Sequence, residues 1–192
     1  MPDNTRFTRE QLKGFVGKTL PDLISDQVRL LFVGINPGLR SVAVQGHFAP
    51  RGNRFYPALF RAGITDHLVD ASSGLTTADR EYLLSRGIGI TSLVERATAS
   101  AAELAAAELV AGTRKLRTLV AEYSPTVVAV LGITAYRAAF SDPLAKLGKQ
   151  PTPHVGSELW IVPNPSGRNA HASLAGLAAA YAEVARAAGI VL

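Results

Sequence analysis

The chain has 192 residues, of which 47% are hydrophobic and 18% charged, as is typical of a globular protein. It contains no cysteine, which excludes disulfides, cysteine nucleophiles, cysteine-type zinc sites and iron–sulfur clusters. The formal net charge of +5 favours a polyanionic partner only weakly.

The length predicts a single domain over residues 1–192, with a lead-in over 1–28 and a core over 29–188. No apolar run is long enough to predict a membrane-spanning helix, and the first residues lack the apolar stretch of a signal peptide. We therefore expect an intracellular protein without a membrane partner, associated with the nucleoid if it is bacterial.

Helices and strands alternate along the predicted chain. A capping box at Thr8 and Gln11 begins a short helix in the lead-in. Apolar runs predict strands over residues 29–35, 88–94, 126–132 and 159–162. Further helices are predicted between them, at residues 54–62, 77–85, 133–140 and 172–188. The alternation predicts an α/β fold, a three-layer α/β/α sandwich with a central, mainly parallel sheet.

Two parts of the chain are harder to assign. Ser100 and Glu103 form another capping box, which predicts that an alanine-rich helix begins there. Gly112 is expected to divide that helix into two pieces, the second ending near Tyr123. Residues 36–52 show little periodicity, and an irregular segment of that length is more often functional than not.

The first and last predicted strands end in similar loops, Gly34-Ile35-Asn36-Pro37-Gly38 and Pro163-Asn164-Pro165-Ser166-Gly167. Ligands bind in open α/β sheets beyond the carboxyl ends of the strands, and these ends share one edge in a parallel sheet. Asn36 alone also fits an ordinary turn. The pair of loops together predicts a cleft.

These loops, with Phe48-Ala49, Asn53-Arg54-Phe55, Leu93–Thr98 and Gly148–Gln150, resemble the mismatch-specific uracil-DNA glycosylases. That group is related to the thymine-DNA glycosylases within the uracil-DNA glycosylase superfamily. The resemblance implies a monomeric enzyme without cofactor or metal that removes uracil from double-stranded DNA, mainly from U·G mismatches. The base must first leave the stack, which costs least for a mispaired base. Neither loop contains lysine, so we expect no Schiff-base lyase step.

The resemblance implies that Asn36 positions the attacking water. An amide is a poor proton acceptor, so we expect slow turnover unless a carboxylate assists. Glu95 is the nearest candidate in the sequence; the alternative interpretation is an ordinary loop or cap carboxylate. Asn164 replaces a histidine found in other superfamily members, which also favours a modest rate.

The resemblance places Ile35, Ser41 and Phe48 against the extruded base. Phe48 either offers a stacking face or anchors its loop to the core. Ser41 either hydrogen-bonds the base or shapes its own turn.

The second loop is expected to enter the duplex, where close relatives insert a hydrophobic side chain at the position of Arg168. Arg168 either fills the gap and pairs with the orphaned guanine, or lies on a phosphate. Additional candidate phosphate contacts are Arg40, Arg51, Arg54 and Lys146, each alternatively a solvated surface charge. The predicted DNA-binding residues are Lys149, Asn164, Ser166, Gly167, Arg168 and Asn169.

Two other functions stay open from the sequence. One is a catalytically weak module that binds damaged or mismatched duplex. The other is a nucleotide-binding protein that uses Gly34–Gly38 on phosphate, although this stretch lacks the glycine spacing of the P-loop and dinucleotide fingerprints.

Overall fold

The structure is a computed structural model that describes residues 7–192. Its strands are β1 (Leu30–Gly34), β2 (Ile88–Ser92), β3 (Val127–Leu131), β4 (Gly148–Lys149) and β5 (Glu158–Val162). They form one sheet in the order β2-β1-β3-β5-β4, in which only the β4–β5 pair is antiparallel. The carboxyl ends of β1, β3 and β5 therefore lie side by side at one edge.

Helices cover both faces of the sheet. They are α1 (Arg9–Lys13), α2 (Leu39–Ala43), α3 (Phe55–Arg61), α4 (Thr77–Ser85), α5 (Ala106–Tyr123), α6 (Ile133–Ala139) and α7 (Leu174–Ala187). Leu30 and Phe32 of β1 pack on the side of α3, α4 and α7. Leu31 and Val33 pack on the opposite side, against α5 and α6. This alternation confirms the predicted α/β/α sandwich with a mainly parallel sheet.

The prediction that the Ser100 capping box opens the long helix was wrong. The box forms, but it closes only a 3-10 turn over Ala101–Glu103. Leu104 then takes extended geometry, with φ −85° and ψ 132°, which ends the helical run. α5 begins later, where the Glu108 carboxylate accepts a hydrogen bond from the Ala105 N–H at 2.9 Å.

The predicted break at Gly112 was also wrong, because α5 runs through it without interruption. Gly112 is buried, and a Cβ there would lie 2.3 Å from the carbonyl oxygen of Leu93. Glycine thus lets α5 approach the chain that leaves β2. This close packing outweighs the cost of glycine inside a helix, about 1 kcal/mol relative to alanine.

Two short elements escaped prediction. α2 lies within the segment expected to be irregular, and β4 contributes only two residues at the sheet edge. Both are too short to show a hydrophobic period. The capping box at Thr8 forms as predicted and opens α1. No helix within residues 7–192 is long and apolar enough to cross a membrane.

Candidate active site

The chain that leaves β2, residues 93–100, holds the start of the first loop, residues 35–53. Two successive N–H groups of this segment, those of Leu93 and Val94, donate to carbonyl oxygens at the end of β1, each at 2.9 Å. The first loop therefore begins as a continuation of the sheet, and its opening residues are held rigidly at the carboxyl edge.

The side-chain amide of Asn36 is fixed in one orientation. Its Nδ2 donates to the carbonyl oxygen of Arg96 at 3.0 Å and to that of Pro37 at 3.3 Å. It also donates to the Thr98 hydroxyl at 2.8 Å, and this hydroxyl in turn donates to the Ser100 carbonyl at 2.8 Å. Because every partner of the nitrogen is an acceptor, the amide cannot be reversed.

The opposite end of the same amide is free. No group in residues 7–192 donates a hydrogen bond to the Asn36 Oδ1, and Asn36 is half-buried at the carboxyl edge. The oxygen is therefore available to accept a hydrogen bond from water or from a bound molecule.

Phe48 sits on a strained piece of the first loop. Its φ of 55° lies in the left-handed region, which costs a residue with a side chain roughly 1–2 kcal/mol. One face of its ring stacks on Phe55, with the ring centroids 4.1 Å apart and the planes inclined by 28°. The residue as a whole is half-buried. Phe48 is thus anchored to the core, and its stacking on a base stays a prediction.

The other two predicted base-binding residues flank the start of the first loop. Ser41 lies on α2 with only 3% of its surface exposed, and its hydroxyl makes no hydrogen bond with a described residue. Ile35 directly follows β1 and is half-buried against the apolar cluster on the α5 side of the sheet.

The second loop, residues 163–173, follows β5. The Asn164 Oδ1 accepts a hydrogen bond from the Ser166 N–H at 2.9 Å, whereas the Asn164 Nδ2 has no acceptor among the described residues. The Asn169 side chain is used inside the loop, where its Nδ2 donates to the Asn164 carbonyl at 2.9 Å. Asn164 packs against Gly132 at the end of β3, where a Cβ would lie 3.3 Å from the Asn164 Nδ2.

The remaining predicted DNA-binding residues lie in two different places. Gly167 and Arg168 are exposed on the second loop, and the Arg168 guanidinium forms no hydrogen bond or ion pair with residues 7–192. The Ser166 hydroxyl accepts a hydrogen bond from the Arg168 N–H at 3.3 Å. Lys149 lies on β4 opposite Trp160, and its Nζ is 2.6 Å from the carboxylate of Glu158, the first residue of β5, so it points away from the carboxyl edge of the sheet.

Glu95 is turned toward α5. Its carboxylate lies 2.8 Å from the Lys115 Nζ, which is also 3.3 Å from the Asp22 carboxylate. No hydrogen bond joins Glu95 to Asn36, although the carbonyl of the next residue, Arg96, binds the Asn36 amide.

The Arg96 side chain forms an ion pair that fixes the same segment. Its Nε lies 2.6 Å from the Glu108 carboxylate on α5. The hydrogen bond from Arg96, followed by that from the Ala105 N–H, lowers the pKa of Glu108 to about 2. This pair ties the chain that orients Asn36 to the long helix.

The sequence interpretation of Arg54 was wrong. Arg54 is turned inward, and both of its Nη groups donate to backbone carbonyls of the second loop, so it is neither a solvated charge nor a candidate phosphate contact. Arg40 is half-buried and its Nη2 donates to the Ser72 carbonyl at 2.8 Å, while its contact with a phosphate stays a prediction. The carbonyl partners of Arg54 lie 112 to 118 residues away in the sequence, so no local pattern marks them.

A model of the uracil DNA glycosylase superfamily matches residues 21–186. The chain therefore belongs to the uracil-DNA glycosylase superfamily. This membership supports a DNA glycosylase role with DNA as the substrate.

A solved structure has the same fold. The solution NMR structure of a candidate uracil DNA glycosylase from Methanosarcina acetivorans matches with a TM-score of 0.53 and 14% sequence identity. The match covers 88% of this chain and 98% of that chain.

Proposed function

We propose that this protein is a monomeric, monofunctional, mismatch-specific uracil-DNA glycosylase. It hydrolyses the N-glycosidic bond of uracil, mainly opposite guanine, after the base has left the duplex. The observation that carries this proposal is the Asn36 amide, whose nitrogen is held by three acceptors while its oxygen is free.

In this proposal the Asn36 Oδ1 accepts a hydrogen bond from the attacking water and aims the water at the sugar carbon. Cleavage of a glycosidic bond develops oxocarbenium character on the sugar. An orienting acceptor contributes by alignment of the reacting atoms. Because an amide does not take up the proton, the general-base contribution of about 10²–10⁴-fold is missing and turnover is slow.

The departing uracil carries negative charge and needs hydrogen-bond donors. The free Asn164 Nδ2 lies at the carboxyl edge next to Gly132 and supplies one such donor. A neutral amide stabilises an anion less than a cationic side chain does, which again favours a modest rate. Phe48 provides the stacking surface, and the buried Ser41 hydroxyl and Ile35 bound the base pocket.

Arg168 is proposed to fill the space that the extruded base leaves in the duplex. It is exposed on the second loop, and its guanidinium donors are not used by the described residues. In the gap these donors face the acceptors of the unpaired guanine. If Arg168 contacts a phosphate instead, this side chain does not read the opposite base. Lys149, Ser166, Gly167 and Asn169 complete the proposed DNA-binding surface.

The experiment is incubation with end-labelled oligonucleotides that carry U·G, U·A, T·G or single-stranded uracil, followed by alkali. We expect strand scission with U·G first and the weakest reaction with T·G. Asn36→Ala should reduce base release by about 10²-fold or more while duplex affinity is kept. Gln27→Ala, which removes an exposed amide at the opposite edge of the sheet, is the matched control.

The outcomes separate the alternatives. Duplex binding without base release from any substrate would instead identify a DNA-binding module.

In the same assay Glu95→Gln tests whether Glu95 assists Asn36. A rate loss comparable to that of Asn36→Ala would assign Glu95 a catalytic role, despite its ion pair with Lys115. Arg168→Ala should lower the preference for U·G over U·A if the side chain reads guanine.

A further inference from the structure

Arg54 immediately precedes α3, and its partners in the second loop are backbone carbonyl groups. Its Nη2 donates to the carbonyl oxygens of Ser166 at 2.8 Å and Asn169 at 2.9 Å. Its Nη1 donates to the carbonyl of Ala172, and its own N–H donates to the carbonyl of Pro165 at 3.0 Å. One residue therefore gathers four carbonyl groups of the loop that is proposed to enter DNA.

The two loops also touch directly beside this contact. A Cβ on Gly167 would lie 2.8 Å from the carbonyl oxygen of Gly52, so the two backbones pack against each other without a side chain between them. Gly52 has φ +87°, a conformation that favours glycine. The position of the second loop is thus set by the first loop and the residue that follows it.

The carbonyl groups that face Arg54 determine the direction of the N–H groups that follow them in the chain. In a trans peptide unit the C=O and the N–H point to opposite sides, and the described residues contain no cis peptide. The N–H groups that follow the three carbonyls bound by the Arg54 guanidinium therefore point away from it. They belong to Gly167, Ala170 and Ser173, which are all exposed and have no acceptor for their N–H groups among the described residues.

We propose that Arg54 is a positioning residue that draws the carbonyl groups of the second loop inward, so that its N–H groups face the DNA backbone. This inference rests on the proposed function, in which the second loop contacts the duplex. The last of these N–H groups belongs to Ser173, the N-cap of α7, where the helix dipole favours a phosphate oxygen. Arg54 itself does not touch DNA.

The chemistry requires arginine at this position. A planar guanidinium presents its donors in a fixed fork and can hold separated carbonyls at one time. A lysine ammonium offers three donors from a single point on a flexible stem, so it cannot span the same carbonyls. Arg54→Lys should therefore restore only part of what Arg54→Met loses.

Arg86 supplies a matched control. It is also half-buried and donates to two distant carbonyls, those of Ile64 at 3.0 Å and Val191 at 2.6 Å. It precedes β2 and therefore lies at the opposite edge of the sheet from the site. Arg86→Met removes a comparable set of bonds and reports the effect of lost stability alone.

The experiment compares wild type, Arg54→Met, Arg54→Lys and Arg86→Met. Thermal denaturation, duplex affinity and single-turnover base release over a range of U·G duplex concentrations are measured for each. We expect both methionine variants to melt at lower temperature. Of the two methionine variants, only Arg54→Met should raise the duplex Kd and the duplex concentration that gives half-maximal rate, by up to about 10²-fold, because a small displacement of a positioning loop has effects of that size. Arg54→Lys should be intermediate.

A second measurement uses the wild-type protein and does not depend on a folded variant. We expect bound U·G duplex to slow hydrogen exchange at the N–H groups of Gly167 and Ala170. The inference is overturned if exchange there is unchanged, or if Arg54→Met changes Kd no more than Arg86→Met. A wild type that binds duplex but releases no base refutes the proposed function, and the affinity comparison still decides the role of Arg54.

Discussion

At the scale of single residues, two asparagines present opposite ends of their amides at the same edge of the sheet. Asn36 uses its nitrogen within the protein and leaves its oxygen free. Asn164 uses its oxygen on the Ser166 N–H and leaves its nitrogen free. The free oxygen of Asn36 can accept a hydrogen bond from water, and the free nitrogen of Asn164 can donate one to a departing anion. The chemistry thus depends on which atoms the fold has already occupied.

The Thr98 hydroxyl is expected to set the orientation of Asn36. It is 2% exposed, accepts from the Asn36 Nδ2 and donates to the Ser100 carbonyl. Thr98→Val keeps the shape and removes both bonds, so the amide loses a constraint. We expect kcat for base release to fall by about tenfold with little change in KM, which corresponds to one neutral hydrogen bond.

Thr98→Ser is the control for this prediction, because it retains the hydroxyl and loses only a methyl group. It should keep most of the wild-type kcat, and kcat and KM of all variants are measured at steady state with U·G duplex. A Thr98→Val enzyme with wild-type kcat would show that the bonds from Asn36 to the Arg96 and Pro37 carbonyls suffice.

At the scale of elements, α5 packs against the segment that orients Asn36. Its buried Gly112 lies against the Leu93 backbone, and its Glu108 carboxylate holds the Arg96 side chain. Both contacts fix the segment that follows β2, whose carbonyl and hydroxyl groups orient Asn36. Both contacts come from one uninterrupted helix that contains Gly112.

Substitution of two helix glycines by alanine is expected to change the free energy of unfolding in opposite directions. Gly112→Ala places a Cβ 2.3 Å from the Leu93 carbonyl oxygen and should lower the free energy of unfolding by about 1–3 kcal/mol. Gly176 of α7 is exposed, and its nearest neighbour would be 3.4 Å away. Gly176→Ala should raise the same quantity by about 0.4–1 kcal/mol.

Chemical denaturation of both variants measures these changes. The prediction for α5 fails if Gly112→Ala is as stable as wild type, since the helix would then have room to move away from the chain that leaves β2. Base release by a folded Gly112→Ala variant should also be slower, because the displaced segment orients Asn36.

At the scale of the whole molecule, the sheet order sets the distance between the two loops. β3 separates β1 from β5, so their ends lie roughly 10 Å apart at a strand spacing of about 4.8 Å. An aromatic cluster beneath this edge links both loops. Phe55 stacks on Phe48 of the first loop and contacts Tyr181, whose hydroxyl donates to the Pro163 carbonyl of the second loop at 3.3 Å.

The buried His47 couples the stability of the whole fold to pH. Burial lowers its pKa below the ordinary 6.5, opposed by the hydrogen bond to the Pro21 carbonyl and by the Asp22 charge. Below pH 6.5 the unfolded chain therefore binds more protons than the folded protein. Stability should fall as the pH decreases through 6.5 toward the folded pKa, with His154 acting in the same direction.

Thermal denaturation between about pH 7.5 and pH 5.5 tests this expectation. His47→Gln retains a donor for the Pro21 carbonyl but does not titrate, so its melting temperature should decrease less over that range. An identical decrease in wild type and His47→Gln would show that His47 does not contribute.

Much of the fold followed from local patterns. The apolar runs at β1 and β3 and the glycines that end them are sufficient to predict buried parallel strands. The paired Asn-Pro loops at 36–37 and 164–165 were sufficient to predict the edge at which the candidate site lies, because strand direction fixes where the ends meet.

Only the tertiary structure decided which atoms of those loops are free and which residues hold them. The orientation of Asn36 depends on Arg96 and Thr98, about 60 residues away, and the inward turn of Arg54 depends on carbonyls 112 to 118 residues away. The sequence by itself determined the strands, the loops and the superfamily resemblance, since these depend on neighbouring residues. The donors, acceptors and close backbone contacts depend on segments brought together by folding, which a pattern of neighbours does not record.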